Sequence, residues 1–365
     1  MTRAGAVERI GGLAAFEAIE RDWSALYEES KTDNLYLTHE WILIWAHAFK
    51  RELTVLLLRE GQKLVAALPL DSTDPSFFVT LRGETYRSGM LGTDARAQHF
   101  RTFLRFLFFD CKKATKFVLH RLPDTAETRD ALKGATRPFS PFVLARWCTV
   151  SRWIDVGTSL EEYLARRPSK VRQELRRKDK RFTTAYPNTR FVEIDDCGEA
   201  MRIIATVERD SWKAGEGTTI EHSDGQADFY RGVLSLRSSR PRLFALLDGD
   251  APIAFLLGVT HGGSFEALKN SFCQHYAKDS PGIVLFLRLI EVLAREGGTS
   301  RIELLGIDAR WKKELGTGER GERTFDILRP TPLNALKATV IRARDRKEVL
   351  RVLKVAATVR AFLRQ

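Results

Sequence analysis

The spacing of apolar residues predicts the same order of helices and strands twice along the chain. In the first half, apolar positions three and four apart predict helices over Leu13–Glu29 and in the stretch that begins after Thr38. Two short apolar runs, Leu53–Arg59 and Lys63–Leu70, predict a β-hairpin. A strand, a helix and another strand are predicted to complete this half: Phe77–Leu81, Asp94–Asp110 and Phe117–Arg121.

The second half is predicted to repeat this order with longer elements. It begins with a long basic helix, Leu160–Arg181, and contains a strongly apolar helix, Pro281–Glu296, which stops at two glycines. Two further helices are predicted over Glu199–Trp212 and Asp228–Arg237. The predicted strands of this half are Arg190–Ile194, Arg242–Leu247, Pro252–Thr260, Ser264–Cys273, Arg301–Leu305 and Thr324–Leu328.

The repeated order predicts an α/β protein of the α+β type with two tandem domains. Mixed, mostly antiparallel sheets are expected, because hairpin turns join many of the predicted strands. We place the first domain at residues 1–150 and the second at residues 151–330. Residues 331–365, which begin among two prolines, are predicted to form a basic amphipathic helical tail.

Composition narrows the class of protein. The 365 residues are 44% hydrophobic and 29% charged, which is typical of a globular protein. We expect neither a signal peptide nor a membrane span, because no apolar run reaches the roughly 20 residues that a span needs. The four cysteines lack metal-binding spacing, so we expect free thiols in a reducing compartment, a cytoplasmic location and no bound metal.

The net charge of +12 is concentrated in two segments. Residues 166–181 and 331–365 each carry nine Lys or Arg against two acidic residues, so the rest of the chain is close to neutral. Basic faces of this kind attract phosphate groups, anionic lipid or nucleic acid. The Arg166–Arg181 face is therefore predicted to bind an anionic acceptor or to be a solvated surface. The tail is predicted to contact a membrane peripherally or to dock on the body of the protein.

The strongest chemical signal lies in residues 264–305, which are predicted to form a strand, a loop, a helix and a strand. The helix begins with Ser280-Pro281-Gly282, where Ser suits the N-cap, Pro suits the first helical position and Gly permits a close backbone approach. No acidic residue occupies the first turn, and Lys278 adds positive charge. The helix start is therefore expected to bind a diphosphate, and a well-capped helix without a ligand is the alternative.

This arrangement resembles the acyl-CoA site of the GNAT acyltransferases. In that fold the pantetheine arm lies between the fourth and fifth strands, and the diphosphate lies on the loop and helix between them. The matching pieces here are Ser264–Cys273, Ser280–Val284 and Arg301–Leu305. The resemblance implies acetyl-CoA or another acyl-CoA as co-substrate, with a set of cofactor-binding residues: Phe272, Cys273, Lys278, Ser280, Pro281, Gly282, Ile283 and Val284.

The helix start replaces the Gln/Arg-x-x-Gly-x-Gly loop of ordinary GNAT enzymes. It resembles the tandem-GNAT branch associated with cellulose and polysaccharide biosynthesis (CelD-like), which is akin to the Fem-type transferases. Short motifs of that branch follow in order: Trp41 and Trp45, Arg172, Arg176 and Arg177, Trp212-Lys213, Phe229-Tyr230, Asp248-Gly249, Pro252-Ile253-Ala254 and Gly306–Lys312. Trp311 stands where the branch usually has Tyr, so a general acid at that position would be missing here.

Four residues are candidates for the chemistry of acyl transfer. Glu266 and Asn270 lie on one predicted strand at a spacing that puts both on the same face. Transfer to an amine needs a group that removes a proton, which we assign to Glu266 with Asn270 as its hydrogen-bonding neighbour. Asp308 and Lys312 follow the next strand, where an acceptor would enter. The alternatives are an inert Glu266 and a surface salt bridge in the 308–312 loop.

The sequence thus predicts an acyl-CoA-dependent N- or O-acyltransferase, in particular an acetyltransferase, that acts by direct transfer on a small-molecule, saccharide or cell-envelope acceptor. The degenerate first domain would shape the acceptor cleft. Backbone N–H groups at a bulge expected in Ser264–Cys273 would polarise the thioester carbonyl. Two alternatives stay open. One is a Fem-like aminoacyl-tRNA-dependent aminoacyltransferase, in which case nucleic acid would bind. The other is a non-catalytic GNAT-fold scaffold.

Overall fold

The structure of the protein, a computed structural model, describes residues 6–74, 77–93, 96–111, 115–137 and 142–340. The first half contains seven strands and five α-helices among these residues. In chain order they are β1 Val7–Gly11, α1 Leu13–Glu17, α2 Glu20–Glu29, α3 His39–Ala48, β2 Leu53–Glu60, β3 Lys63–Asp71, β4 Phe77–Thr80, β5 Leu91–Gly92, α4 Arg96–Arg105, β6 Lys116–Pro123, α5 Ala126–Thr136 and β7 Phe142–Asp155.

The second half follows with six strands and seven α-helices in the described part of the chain. They are α6 Leu160–Ala165, α7 Ser169–Ala185, β8 Thr189–Ile194, α8 Cys197–Arg209, α9 Trp212–Glu216, α10 Gln226–Leu234, β9 Arg240–Asp248, β10 Ala251–His261, β11 Ser264–Phe272, α11 Pro281–Glu296, β12 Arg301–Glu303, α12 Arg310–Leu315 and β13 Gly318–Leu328. A 3-10 turn, Gln274–Asp279, connects β11 to α11.

Local sequence signals explain most of these boundaries. Thr38 caps α3 as predicted, because its Oγ1 accepts a hydrogen bond from Trp41 N. The predicted helix Leu160–Arg181 is divided into α6 and α7 at Pro168, which cannot continue the first helix but can precede the second. Helix α5 and the long strand β7 were not predicted, and in β7 polar residues interrupt the apolar run.

The thirteen strands of the described residues lie in one sheet. Their order is β1-β2-β3-β4-β6-β13-β7-β12-β11-β10-β9-β8, and β5 pairs with β3 outside this path. Two neighbouring pairs, β4–β6 and β11–β12, are parallel, and the other pairs are antiparallel. The predicted mixed, mostly antiparallel architecture is confirmed, and the strands of the two halves form one continuous sheet.

The last strand, β13, lies inside the sheet. Its Phe325 pairs with Leu119 of β6 on one side and with Ala145 of β7 on the other. Strand β7 continues through residue 150 and also pairs with β12 of the second half. The predicted domain boundary at residue 150 stays a prediction, and the main chain crosses it within a regular strand.

Helices cover both faces of the sheet. On one face a single core contains residues of both halves, including Trp23, Trp41, Phe229 and Phe255. On the other face two cores are separate, one that includes α11 and one that includes α4. Alternate residues of one strand reach opposite faces. The continuous core therefore fixes the two halves against each other.

The chain continues after β13 into a helical segment over residues 332–340. Asn334 Nδ2 donates to Thr115 O at 3.3 Å, while Leu333, Leu336 and Val340 are exposed. The rest of the predicted basic tail, residues 341–365, lies outside the described residues. Within the described ranges, every helix is too short or too polar to span a bilayer.

Candidate active site

The parallel strands β11 and β12 separate after a short pairing and leave a cavity between them. They pair only over Ser264–Glu266 and Arg301–Glu303. The cavity has a volume of about 340 Å³. Residues of β11, of the starts of α11 and α12, and of α7 line it: Lys178, Asn270, Phe272, Ala277, Ser280, Gly282, Ile283, Phe286, Arg310, Trp311 and Glu314.

A β-bulge interrupts β11 beside this cavity. Leu257 of β10 pairs with Lys269 and Gly258 pairs with Ala267, so Leu268 is the extra residue of β11. The bulge predicted in this strand is confirmed. Glycine is needed opposite it, because a Cβ on Gly258 would lie only 2.2 Å from the ring of the next-strand phenylalanine, Phe265.

The bulge places Glu266 and Asn270 on opposite faces of the sheet, so the predicted common face is wrong. Glu266 contacts Tyr36 on the face of the continuous core. Asn270 has the same orientation as Phe272, and both line the cavity on the other face. The extra residue between them reverses the alternation of side chains. Asn270 therefore cannot be the hydrogen-bonding neighbour of Glu266.

The start of α11 forms one end of the cavity, but it differs from the predicted cap. Ser280 adopts a left-handed conformation with φ of +61°, and its side chain makes no capping hydrogen bond. The amides of Ile283 and Val284 donate to Ser280 O at 3.0 and 3.3 Å. Pro281 has no N–H, so the predicted cradle of several free amides is reduced to the amide of Gly282 and the dipole of the helix.

The other predicted cofactor-binding residues divide into those at the cavity and those away from it. Phe272, Ser280, Gly282 and Ile283 line it. Pro281 and Val284 are buried in the core below α11, and Lys278 has an exposed side chain. Cys273 lies on the opposite face, where its Sγ contacts Pro252 O at 3.4 Å. Burial, with a smaller effect of Asp210, raises the pKa of the Cys273 thiol to about 12, so it stays protonated.

Glu266 lies at the centre of a buried polar cluster between the two halves. Its carboxylate is fully buried, accepts a hydrogen bond of 3.1 Å from Tyr36 Oη and forms an ion pair with Arg87. In the register of the parallel strands it is the neighbour of Glu303, which accepts two hydrogen bonds of 3.2 and 3.1 Å from Arg320. Two carboxylates and two guanidinium groups thus meet where β11 and β12 begin to separate.

Burial has the largest effect on the acidity of Glu266. It raises the pKa of the carboxyl to about 7, with Arg87 acting in the opposite direction and Glu303 adding to the rise. Glu266 therefore changes its ionisation near neutral pH. A carboxyl with this property is suited to accept a proton from an acceptor nucleophile.

Both first-half partners of Glu266 were missed by the sequence predictions. Tyr36 lies in a 3-10 turn, Leu35–Leu37, whose first amides are capped by the Asn34 side chain. The same Asn34 donates through Nδ2 to Arg87 O at 3.1 Å, which fixes the second partner. No motif indicates these contacts, because they join positions 230 and 179 residues apart in the chain.

Asp308 lies in the turn after β12 and Lys312 lies in α12, and neither residue lines the cavity. Asp308 forms ion pairs with Arg152 at 2.7 Å and Lys313 at 3.4 Å, and the bond from Arg152 lowers the pKa of Asp308. Lys312 Nζ donates to Leu305 O, and to Ile307 O at 2.8 Å. Burial first, and then the nearby Arg121, lowers the pKa of Lys312 to about 8.

These contacts indicate a structural function for Lys312. The turn contains two residues with positive φ, Leu305 at +39° and Gly306 at +64°. Such a conformation is costly for Leu, and the ammonium group bonded to the turn carbonyls helps to hold it. The loop salt bridge considered from the sequence is formed by Asp308, with Arg152 and Lys313 as its partners.

No group of three or more His, Cys, Asp and Glu in the described ranges could hold a metal ion. The fold around the cavity can be compared with that of known proteins. Solved structures with two GNAT units share it. FemX matches at a TM-score of 0.60 with 11% identity, over 91% of this chain and 100% of FemX.

Two further structures have the same fold. The tandem GNAT protein from the clavulanic acid biosynthesis pathway matches at a TM-score of 0.52 with 13% identity, over 89% of this chain and 100% of that one. L-PGS from Bacillus licheniformis matches at 0.56 with 12% identity, over 88% and 95% of the two chains. At these identities the likeness shows the fold, which is that of tandem GNAT proteins.

Sequence comparison adds a domain assignment. Residues 169–313 match the family described as acetyltransferase (GNAT) domain. This range contains α7, the bulged strand and every residue of the cavity lining except Glu314. No curated protein matches the sequence significantly. Residues 169–313 are thus similar to a GNAT acetyltransferase domain, within a fold shared with tandem GNAT proteins.

Proposed function

We propose that the protein is an acyl-CoA-dependent N- or O-acyltransferase, in particular an acetyltransferase, that transfers the acyl group directly to an amine or hydroxyl. The cavity at the separation of β11 and β12 carries this proposal, because it lies at the place where the GNAT resemblance locates the pantetheine arm. All of its lining residues except Glu314 fall within the range that matches the GNAT acetyltransferase domain.

The residues of the cavity fit an acyl-CoA. Phe272, Ile283 and Phe286 provide apolar walls for an uncharged arm. Gly282 leaves space at the helix start, because a Cβ there would meet only the Phe272 ring, at 3.5 Å. The first turn of α11 contains no acidic residue that would repel a diphosphate. An acyl-CoA bound here would supply an activated thioester, and the protein would position and polarise it.

We assign proton removal to Glu266. The acceptor nitrogen or oxygen would form a bond to the acyl carbon while the carbon–sulfur bond breaks and CoA leaves as its thiolate, and the proton of the acceptor would pass to Glu266. Because Glu266 is buried and faces away from the cavity residues Asn270 and Phe272, this proton would need a bridging water molecule. Tyr36 and Arg87 of the first half would hold the carboxylate in place, and backbone N–H groups at the Leu268 bulge would polarise the thioester carbonyl.

The acceptor is proposed to be a small molecule, a saccharide or a cell-envelope precursor, as the resemblance to the CelD-like branch suggests. It would reach Glu266 between the two halves, and the exposed basic side of α7 could attract an anionic group on it. We place the reaction in the cytoplasm, in keeping with the free thiols of the described residues. The basic tail could add a peripheral membrane contact.

Titration with acetyl-CoA and longer acyl-CoAs tests the proposal, by calorimetry and by the rise in melting temperature that a ligand of the folded state causes. We expect the wild type to bind and Gly282→Glu to lose binding, because the new carboxylate would face the phosphates. Gly282→Ala is the matched control. It should keep the fold and stabilise it by roughly 0.5–1 kcal/mol, since glycine weakens a helix.

Each outcome favours a different function of the protein. Binding that only Gly282→Glu abolishes would support the donor site and justify a screen of amine and hydroxyl acceptors by release of CoA thiol. Failure of every acyl-CoA to bind would refute the proposal. Tight, salt-dependent binding of tRNA in that case would indicate a Fem-like aminoacyltransferase. Acyl-CoA binding without turnover on any acceptor would indicate a scaffold.

A further inference from the structure

Helix α7 contacts α12 and the turn before α11, both of which contribute residues to the cavity wall. Its apolar side packs on the protein through Leu175 and Phe182, which are buried. Asp179 fixes it along α11 through a 2.7 Å ion pair with Arg288. Because α7 is held in this way, the side chain of Lys178 becomes part of the cavity wall.

Two ion pairs attach α7 to two segments that line the cavity. Lys178 pairs with Glu314 of α12, and both side chains line the cavity with only 15% and 17% of their surface exposed. Arg181 pairs with Asp279 at 3.2 Å, at the end of the turn that precedes α11. The cation of Lys178 is therefore already in place at the cavity, with a carboxylate as its partner.

A second cation lines the same cavity from α12. Arg310 is exposed, and in the described part of the chain it forms no ion pair. Glu314 is the one carboxylate of the lining, so the wall carries two cations against one anion. The apolar residues of the lining, such as Phe272 and Phe286, contribute no charge. The cavity thus has an uncharged part and a part with net positive charge.

We propose that Lys178 and Arg310 form a subsite for the phosphate groups of the donor. On binding, Lys178 would exchange the Glu314 carboxylate for the oxygens of the phosphate groups, which together carry more negative charge than one carboxylate. The subsite rests on the proposed function, because it takes the phosphorylated part of an acyl-CoA. It assigns a donor-binding role to α7, whose basic face was expected from the sequence to bind an acceptor.

Opposite substitutions in the ion pair separate this role from a purely structural one. Lys178→Gln removes the phosphate ligand, whereas Glu314→Gln releases Lys178 from its competitor. We expect Lys178→Gln to weaken acetyl-CoA binding about tenfold, the loss of one charge-assisted contact, and Glu314→Gln to keep or strengthen it. A structural salt bridge would instead weaken binding, or stability, in the same direction in both variants. Lys180→Gln, two residues along α7 on its exposed side, is the matched control and should leave acetyl-CoA binding unchanged.

A second ligand makes the test specific for the phosphates. Acetyl-pantetheine has the acyl arm but no phosphate, so its affinity should be the same in wild type, Lys178→Gln and Arg310→Gln. Higher ionic strength should weaken acetyl-CoA binding and leave acetyl-pantetheine unaffected. Calorimetry of both ligands on the full chain provides the measurements.

The outcomes distinguish the subsite from the proposed function. Equal losses for both ligands, or none for either, in Lys178→Gln would overturn the subsite while leaving the acyl-CoA function intact. Weaker acetyl-CoA binding in both Lys178→Gln and Glu314→Gln would also overturn it. If neither ligand binds the wild type, the proposed function itself fails, and the subsite with it.

Discussion

Each half of the protein contains one pair of parallel strands, and the two pairs are used differently. In the first half β4 and β6 pair over 77–79 and 116–118, and in the second half β11 and β12 pair over 264–266 and 301–303. In both cases a helix connects the two strands. The second pair opens into the cavity.

In the first half, side-chain hydrogen bonds connect the end of β4 and the segment after it to β6, at the position that corresponds to the cavity. Thr80 Oγ1 accepts a hydrogen bond of 2.9 Å from His120 N, and Ser88 Oγ donates to His120 O. Strand β4 has four residues and β11 has nine, and the bulge at Leu268 occurs in the longer strand. The greater length of β11 and its bulge thus accompany the opening of the second strand pair.

The segment that follows β4 contacts the second half. It carries Arg87 to the second half, where the guanidinium pairs with Glu266. The second strand pair thus opens into a cavity, while the first pair is bridged by hydrogen bonds and its half supplies side chains to the neighbouring half. The comparison teaches that a half without such a cavity can still supply a side chain to the polar cluster of the other half.

Replacement of Glu266 by Gln should have the largest effect on activity. Gln keeps the size and a hydrogen bond to Tyr36 but cannot accept a proton, so kcat should fall by about 10²–10⁴-fold with acyl-CoA affinity unchanged. Glu303→Gln, the neighbour in register, is the control and should retain more of the rate. If kcat falls further in Glu303→Gln than in Glu266→Gln, Glu303 of β12 would be the base instead.

The bulge can be tested through the glycine opposite it. Gly258→Ala places a Cβ 2.2 Å from the Phe265 ring and 2.7 Å from Glu266 O, so the strands must move apart. We expect the free energy of unfolding to fall by about 1–3 kcal/mol and donor affinity to fall with it. Chemical denaturation and calorimetry measure the two effects. Unchanged stability would show that the bulge is easily remodelled.

The rate of transfer should depend on pH through Glu266. As a base it must be ionised, so the rate should rise as the pH passes about 7, the value to which burial raises its pKa. Arg87 opposes that rise, and Arg87→Gln should therefore move the ascending limb to higher pH. The pH dependence of kcat/KM checks this. If the ascending limb of Arg87→Gln stays at the pH of the wild type, Arg87 of the first half does not influence the proton transfer.

The smallest effect is expected from the first-half strand pair. Ser88→Ala removes one hydrogen bond to His120 O, which should cost about 0.5–1.5 kcal/mol of stability. Donor affinity should not change, because the cavity lies in the other half. Thermal unfolding with and without acetyl-CoA measures both quantities. Lost donor affinity in this variant would contradict the division of labour between the halves.

Local signals in the sequence predicted most of the elements, and long-range contacts account for what it missed. Helix α11 begins at Pro281 and ends at Glu296 as predicted, because proline, glycine and periodicity act within a few residues. The shared face of Glu266 and Asn270 was predicted wrongly, because pairing with β10 introduces an extra residue. The contacts of Arg87 and the place of β13 depend on residues far along the chain. The periodicity of apolar residues describes a short window and does not predict such contacts.

The place of β13 between β6 and β7 has a consequence for synthesis on the ribosome. Arg121 N donates a hydrogen bond to Thr324 Oγ1, 203 residues later in the chain, so this edge is covered only after that further length has been synthesised. Until then β6 and β7 expose unpaired backbone, which favours association with other nascent chains. Pairings of such long range also form slowly, because a large loop must close first. A chain that stops before β13 would therefore need chaperone protection, even though all the elements of its first half are present.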